Sequence, residues 1–170
     1  SNEVEPIISS LIKKGKSTSI NVETSSGQAR IFVDSILPVP KLVIVGSGND
    51  VAPVVDVAKI NGFSVSIISL RKGTDISEKF PNANHFYYSS PTSISSTLNF
   101  DNNTYVVIMT HNFIDDRLSL EQLISTPVNY IGLLGPQERF VEMLSEFEAE
   151  GTNLSPYADK IYTPIGLDIG

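Results

Sequence analysis

The sequence of 170 residues contains no cysteine. That absence excludes disulfides, thiolate-ligated metals, iron–sulfur clusters and any relay of sulfur through cysteine within this chain. The sequence also lacks an apolar run of the roughly 18 residues that a membrane-spanning helix needs, and no signal peptide is recognisable. We therefore expect a cytoplasmic protein that does not enter a membrane.

Basic residues are also few. Twelve Lys and Arg residues stand against 19 Asp and Glu, which gives a formal net charge of −7. An extended nucleic-acid surface is therefore not expected. Small phosphate ligands remain compatible with this charge, because backbone N–H groups can bind them. The length and the 41% hydrophobic content are sufficient for one folded domain with a real core.

The stretch 41–71 has the pattern of a strand–turn–helix–strand unit. Residues 42–45 are all apolar, which is typical of a parallel strand buried on both faces. Gly46 and Gly48 follow, where the chain has to turn tightly and bring bare backbone close to a ligand. A second apolar strand covers 65–68. This unit is of the nucleotide-binding kind.

The glycine pattern departs from the dinucleotide fingerprint. Val51 stands at the third glycine position, where its branched side chain prevents the closest helix–strand approach. Asn49 and Asp50 can cap the helix, but Asp50 also places a carboxylate where a pyrophosphate needs donors. Ser69 replaces the usual ribose-binding acid, and Arg71 could meet a 2′-phosphate, which favours NADP over NAD. The alternative is a Rossmann-like unit that binds no dinucleotide.

Strand and helix patterns alternate through the rest of the chain. They predict an α/β fold, a Rossmann-like doubly wound parallel sheet with a short N-terminal β-hairpin appendage. We expect residues 1–40 to form a helix and hairpin, the remnant of an N-terminal domain, and residues 41–170 to form the cofactor-binding domain. The predicted helices cover 4–13, 92–98, 115–125 and 136–151, and the predicted strands cover 19–24, 29–35, 85–88, 104–110 and 128–133. The tail 162–170 predicts no regular element.

Ligands of such sheets bind beyond the carboxyl ends of the strands, near the point where strand order reverses. We expect the segments 46–50, 69–71, 110–112 and 134–139 to converge there. His111 directly follows an apolar strand and is a candidate acid, base or ligand; the alternative is that it bonds a loop carbonyl. The candidate cofactor-binding residues are Gly46, Ser47, Gly48, Asn49, Asp50, Ser69, Arg71, Thr110, His111, Gly135, Arg139 and Asp168.

Two further features belong to the same predicted edge. Gly135, before a helix that starts at Pro136, offers a second anion-binding helix end or an ordinary turn. His111, Asp116 and Asp168 are expected to line one crevice, with the alternative that Asp115 or Asp116 caps a helix. Their spacing does not demand a metal, and we predict no metal site.

Four motifs occur in order along the chain. They are Gly46-Ser-Gly-Asn-Asp-x-x-Pro53, Met109-Thr-His-Asn-Phe-x-x-Asp116, Tyr130-Ile-Gly-Leu-Leu-Gly135 with Arg139, and Pro164-Ile-Gly-Leu-Asp-Ile-Gly170. Together they resemble the XdhC/CoxI family, the accessory proteins of xanthine dehydrogenase and related molybdenum hydroxylases. The resemblance covers roughly residues 30–170, and four ordered motifs are far more specific than one glycine turn.

The resemblance implies a Rossmann domain that binds the molybdenum cofactor (molybdopterin) and delivers it to a client hydroxylase, as a non-enzymatic maturation factor or chaperone. The net charge and the lack of a long apolar run predict no nucleic-acid or membrane partner, and we expect a homodimer. Family members often have Asp in the place of Ser69, and many carry a cysteine-containing N-terminal domain, which a separate partner could supply here. Many also continue beyond the Gly170 motif with a further helix. Two alternatives stay open: an NAD(P)-dependent oxidoreductase with His111 as proton donor, and a nucleotide-sensing regulatory domain.

Overall fold

The computed structural model describes residues 5–13, 17–24, 27–73 and 75–166. The chain separates into two compact units, residues 1–38 and 39–170. Within the described ranges, no helix is both long enough and apolar enough to cross a membrane.

The first unit consists of one helix and one hairpin. Helix α1 covers Glu5–Lys13, strand β1 covers Thr18–Thr24 and strand β2 covers Gly27–Val33. The strands are antiparallel, and Thr24 pairs with Gly27, so only two residues connect them. The predicted helix and hairpin are confirmed, with ends that differ from the prediction by one or two residues. The link itself, residues 25 and 26, lies outside the described residues.

The second unit is built on a six-stranded parallel sheet. Its strands are β3 (Lys41–Val45), β4 (Ser64–Ser69), β5 (His85–Tyr88), β6 (Thr104–Ile108), β7 (Tyr130–Leu133) and β8 (Ile161–Tyr162). They lie in the order β5-β4-β3-β6-β7-β8, and each neighbouring pair is parallel. This is the doubly wound Rossmann order, and strand order reverses between β3 and β6. The predicted fold class is confirmed.

The crossovers between these strands are helical. They contain α2 (Val51–Ile60), α3 (Ile76–Lys79), α4 (Phe113–Ile124), α5 (Gln137–Ala149) and two 3₁₀ turns, Ile94–Ser96 and Ser155–Lys160. The helix predicted over 92–98 is only the first of these 3₁₀ turns. Its serine and threonine hydroxyls bond nearby backbone, as when Ser96 donates to the Ser93 carbonyl at 2.9 Å, and such bonds compete with a regular helix.

The core has two halves, one on each face of the sheet, because side chains alternate along a strand. Val43 and Val45 belong to a cluster with residues of α4 and α5, including Leu120 and Phe147. The other cluster joins the alternate β3 residues to α2 and α3, and it includes Leu42, Ile44, Val51, Val55 and Ile76. The sheet is therefore buried on both faces at β3, and the strand order places the end of β3 near the centre of the carboxyl edge.

Strand β8 is a correction to the sequence interpretation, which placed no regular element from residue 162 onward. Ile161 pairs with Ile131 and Tyr162 with Gly132, in parallel. The ring of Tyr162 stacks on that of Tyr130 with centroids 4.5 Å apart. A two-residue strand has no readable periodicity of its own, because its conformation comes from pairing with β7.

Candidate functional site

Four segments meet at the carboxyl edge of the sheet. Residues 46–50 follow β3, residues 69–71 end β4, residues 110–112 follow β6, and residues 134–139 follow β7. Side-chain contacts join the first of these segments to the second and to the third, and Asp116 of α4 contacts both the third and the fourth. The structure therefore assembles the edge that the sequence predicts around the point where strand order reverses.

Glycine is required at position 46 by the backbone conformation and by the close approach of neighbouring backbone. Its φ of 139° is one that other residues rarely adopt. Its N–H donates to the Ile68 carbonyl at 2.9 Å, and a Cβ built here would overlap the carbonyl oxygen of Met109. Glycine at this position lets the end of β3 pass close to the end of β6.

Gly48 has a different neighbour. A Cβ built on Gly48 would overlap Oδ1 of Asp50, and the ring of His111 lies 3.6 Å from the same point. Asp50 occupies the N-cap position of α2, but its carboxylate accepts no capping hydrogen bond from any described residue. The expectation that Asp50 caps this helix through its side chain is wrong, because the carboxylate turns across the loop instead. Asn49 is exposed beside it.

The side chains of Asp50 and His111 are in hydrogen-bond contact across the point of strand reversal. Asp50 Oδ2 lies 2.7 Å from His111 Nε2, although 61 residues separate them. The contact is open to solvent, with 55% of the His111 side chain and 41% of the Asp50 side chain exposed. His111 therefore bonds a carboxylate and not the loop carbonyl of the alternative interpretation.

The backbone of His111 is also unusual. Its φ is 62°, and no other described non-glycine residue has a positive φ. A side chain in this left-handed region costs roughly 1 kcal/mol or more, and histidine is among the residues that adopt it more often. Strain of this kind concentrates at functional sites, where the surrounding structure holds it in place.

Ser69 is buried, and its hydroxyl is used within the protein. It lies 3.1 Å from the hydroxyl of Ser47 and donates to the carbonyl of Arg71 at 3.0 Å. Lys79, which the sequence analysis did not single out, donates to the Ser47 carbonyl at 2.6 Å. These contacts fix the glycine loop from the β4 side. The side chain of Arg71 lies exposed next to them.

Asp116 is the most deeply buried carboxylate of this edge, with 2% of the residue exposed. It accepts hydrogen bonds from the Thr110 N–H at 3.1 Å and the Thr110 hydroxyl at 2.5 Å, and it pairs with Arg139. Burial raises the pKa of Asp116, while the Thr110 hydrogen bonds and the charge of Arg139 act in the opposite direction. This carboxylate joins the end of β6 to the start of α5.

Asp116 does not cap α4, contrary to the alternative considered from sequence. The Asn112 side chain caps it by accepting from the Asp115 N–H at 3.0 Å. Asn112 is a favoured N-cap residue, and its position before the helix was the signal that could have revealed this. The cap also starts α4 at Phe113, two residues earlier than predicted.

Gly135 has a φ of 140°, and a Cβ there would lie 3.3 Å from Cδ of Arg139. Pro136 is the N-cap residue of α5, and no described side chain caps this helix. The start of α5 therefore combines backbone N–H groups with the guanidinium of Arg139. The Arg139 side chain is 24% exposed. This arrangement suits an anion.

Asp168 lies outside the described residues, so the crevice expected to unite it with His111 and Asp116 stays a prediction. Among the described residues, no group of three or more His, Asp and Glu side chains is arranged to hold a metal ion.

Comparisons with known proteins agree with this architecture. The model of the XdhC Rossmann domain matches residues 42–170. A Bacillus subtilis protein named as a probable xanthine dehydrogenase subunit is 31% identical over 140 residues, which are 82% of this chain and 40% of that protein. The uncharacterized protein YqeB of Escherichia coli is 23% identical over 145 residues, 85% of this chain and 26% of its own length.

A solved structure is similar as well. It is a Bacillus halodurans protein described as a xanthine dehydrogenase, with a TM-score of 0.67, 25% identity, and coverage of 96% of this chain and 56% of that one. The chain thus spans between about a quarter and just over half of the length of these relatives. Because the family model matches most of the chain, the chain belongs to the XdhC family and carries its Rossmann domain.

Proposed function

We propose that this chain is part of an accessory protein for a xanthine dehydrogenase-type molybdenum hydroxylase. It binds the molybdenum cofactor, or a nucleotide, and assists insertion of the cofactor into the client. The observation that carries the proposal is the family match over residues 42–170, together with a relative whose name places it in xanthine dehydrogenase. In this proposal residues 41–170 are the cofactor-binding domain and residues 1–40 are an appendage to it.

The carboxyl edge supplies groups that suit a phosphate-bearing pterin. Molybdopterin carries a phosphate, and the start of α5 offers N–H groups and the Arg139 guanidinium to such a group. Asp116 holds Arg139 from behind, which keeps the guanidinium at the edge without occupying its whole donor set. The bound cofactor would supply the redox chemistry of the client. This chain would bind and orient it, with His111 at the mouth as a proton-carrying or ligand-contacting group.

The partners follow from the same proposal. The client is a molybdenum hydroxylase. We propose a homodimer in the cytoplasm, with no nucleic acid or membrane among its partners. Size-exclusion chromatography with light scattering tests the dimer directly, and a monomer at micromolar concentration contradicts it.

Nucleotide binding without chemistry is the second candidate, and one observation favours it. A surface cavity of about 450 Å³ is lined by Lys72, Gly73, Asp75 and Tyr88, at the carboxyl ends of β4 and β5. In Rossmann folds the ribose-binding acid stands near the end of the second strand, which is β4 here. Arg71 adjoins this cavity in sequence, so a 2′-phosphorylated nucleotide is the form that it would suit.

Loading of a client enzyme separates these candidates. A xanthine dehydrogenase-type hydroxylase is expressed with and without this chain, and its molybdenum content and activity are measured after purification. We expect a higher fraction of loaded client when the chain is present, and copurification of the two proteins. Equal loading with and without the chain, and no copurification, contradict the accessory role.

A pair of variants ties the effect to the carboxyl edge. His111→Asn keeps a residue that tolerates a positive φ but removes the imidazole. His85→Asn is the matched control, because His85 is the other histidine of the chain and is exposed on β5. We expect His111→Asn to reduce client loading and His85→Asn to leave it unchanged. Equal loading by both variants would remove His111 from the mechanism.

A further inference from the structure

In the glycine loop, residues 46–50, a side chain of the protein already occupies the side that would face a ligand. In dinucleotide-binding Rossmann folds, the second glycine of the loop has no side chain so that the pyrophosphate can approach the backbone. Gly48 holds that position here. The space that a Cβ would take on Gly48 is filled by Oδ1 of Asp50.

The Asp50 carboxylate is held there by a partner from another strand. Its second oxygen lies 2.7 Å from Nε2 of His111, on the loop after β6. His111 reaches this position with a φ of 62°. The carboxylate accepts no capping bond at the start of α2 from any described residue, so the helix does not need it in this orientation.

The neighbouring cation does not neutralise this carboxylate. Lys79 donates to the Ser47 carbonyl at 2.6 Å, on the β4 side of the loop. A pyrophosphate entering over Gly48 would therefore meet a negative charge where the fold usually presents N–H donors. At the start of α5, the Arg139 side chain lies next to Gly135, and the carboxylate of the first turn is that of the exposed Glu138.

We infer that Asp50, held by His111, is a specificity-determining residue that bars nucleoside diphosphates and dinucleotides from the Gly48 loop. The inference rests on the proposed function in placing the ligand at this edge, and it assigns the ligand phosphate to the start of α5.

Titration calorimetry with ADP tests this on the full chain. The variants are Asp50→Asn, which keeps the shape and removes the charge, and Asp56→Asn as control. Asp56 is exposed on the same helix, where Asn82 donates to it at 2.7 Å, and its replacement changes the net charge equally. We expect ADP to bind Asp50→Asn about tenfold or more tightly than the wild type, and Asp56→Asn to match the wild type.

A second variant guards against a local effect of the asparagine. His111→Asn leaves the carboxylate in place but frees it to swing away, so we expect a gain in ADP affinity smaller than that of Asp50→Asn. No gain in Asp50→Asn, a loss of binding in it, or binding by none of the proteins would overturn the inference. The client-loading measurement on the same proteins is independent. Wild type that loads the client, with no ADP gain in Asp50→Asn, refutes only the inference; ADP gain without client loading refutes only the proposed function.

Discussion

Two acidic side chains at the same edge of the sheet have opposite surroundings. The Asp116 side chain is 3% exposed and pairs with Arg139, with two further hydrogen bonds from Thr110. The Asp50 side chain is 41% exposed, and its described partner is the half-exposed His111. A carboxylate with three part-buried contacts joins structural elements, whereas one with a single exposed contact presents its charge to the ligand side of the loop. We therefore expect the first pair to contribute to stability, and we propose ligand selection for the second.

The largest expected effect is the loss of Arg139. Arg139→Met removes the charge partner of a buried carboxylate, and we expect the free energy of unfolding to fall by about 2–3 kcal/mol, discounted for the partly exposed guanidinium. Urea denaturation measures it. Arg71→Met is the control, because Arg71 is exposed at the same edge. Equal denaturation midpoints for the two variants would show that the buried pair contributes nothing to stability.

That penalty should depend on pH. Burial raises the pKa of Asp116 above its ordinary 3.8, and Arg139 opposes the rise. Because the folded state then holds the proton more tightly than the unfolded state, the stability contributed by protonated Asp116 is lost as pH increases through the raised pKa. Removing Arg139 raises that pKa further, so the penalty of Arg139→Met should be larger at neutral pH than near pH 3.8.

Denaturation of Arg139→Met and wild type across this range measures the difference. The same substitution in an Asp116→Asn background is the control, since it has no carboxyl group to titrate. If Arg139→Met lowers the free energy of unfolding equally at every pH in the protein that keeps Asp116, then Arg139 does not affect the titration of this carboxyl group.

We expect the exposed Asp50–His111 contact to contribute less to the free energy of unfolding than the Asp116–Arg139 pair. The backbone strain at His111 can be measured separately. At a φ of 62°, His111→Val places a β-branched side chain in the left-handed region, whereas His111→Gly relieves the strain. We expect the valine variant to be less stable than the glycine variant by about 1–2 kcal/mol. Thermal and urea unfolding of both proteins give the comparison. Equal stability would indicate that His111 does not hold this φ in solution.

The sequence predicted the order of the helices and strands better than the contacts of Asp50 and Asp116. The apolar run 42–45, the glycines and the later β-branched strand determine the order of elements, because each is a local pattern. The Asp50–His111 contact joins residues 61 positions apart, and the burial of Asp116 depends on where α5 packs. No local pattern encodes such distances, so Asp50 and His111 were both recognised as candidates while the contact between them was not. Strand β8 was missed for the same reason, since two residues acquire their conformation from β7.

The smallest expected effect concerns the choice between NADP and NAD. Ser69→Asp would introduce the acid that usually binds the ribose, but Ser69 is buried and its hydroxyl bonds Ser47 and the carbonyl of Arg71. A carboxylate there would disturb the loop, so Arg71→Ala is the cleaner change. An exposed charge pair contributes about 0.2–1 kcal/mol, so we expect Arg71 to favour NADP over NAD by up to about fivefold.

The measurement belongs in the Asp50→Asn background, where the glycine loop is expected to accept a pyrophosphate. NADP and NAD are titrated into the Asp50→Asn protein and into the double variant that also carries Arg71→Ala. The control is a double variant that carries Asp50→Asn with Lys59→Ala, on α2, instead of Arg71→Ala. The preference should disappear only when Arg71 is replaced. A preference for NAD in the Asp50→Asn protein would show that the arginine does not meet the 2′-phosphate.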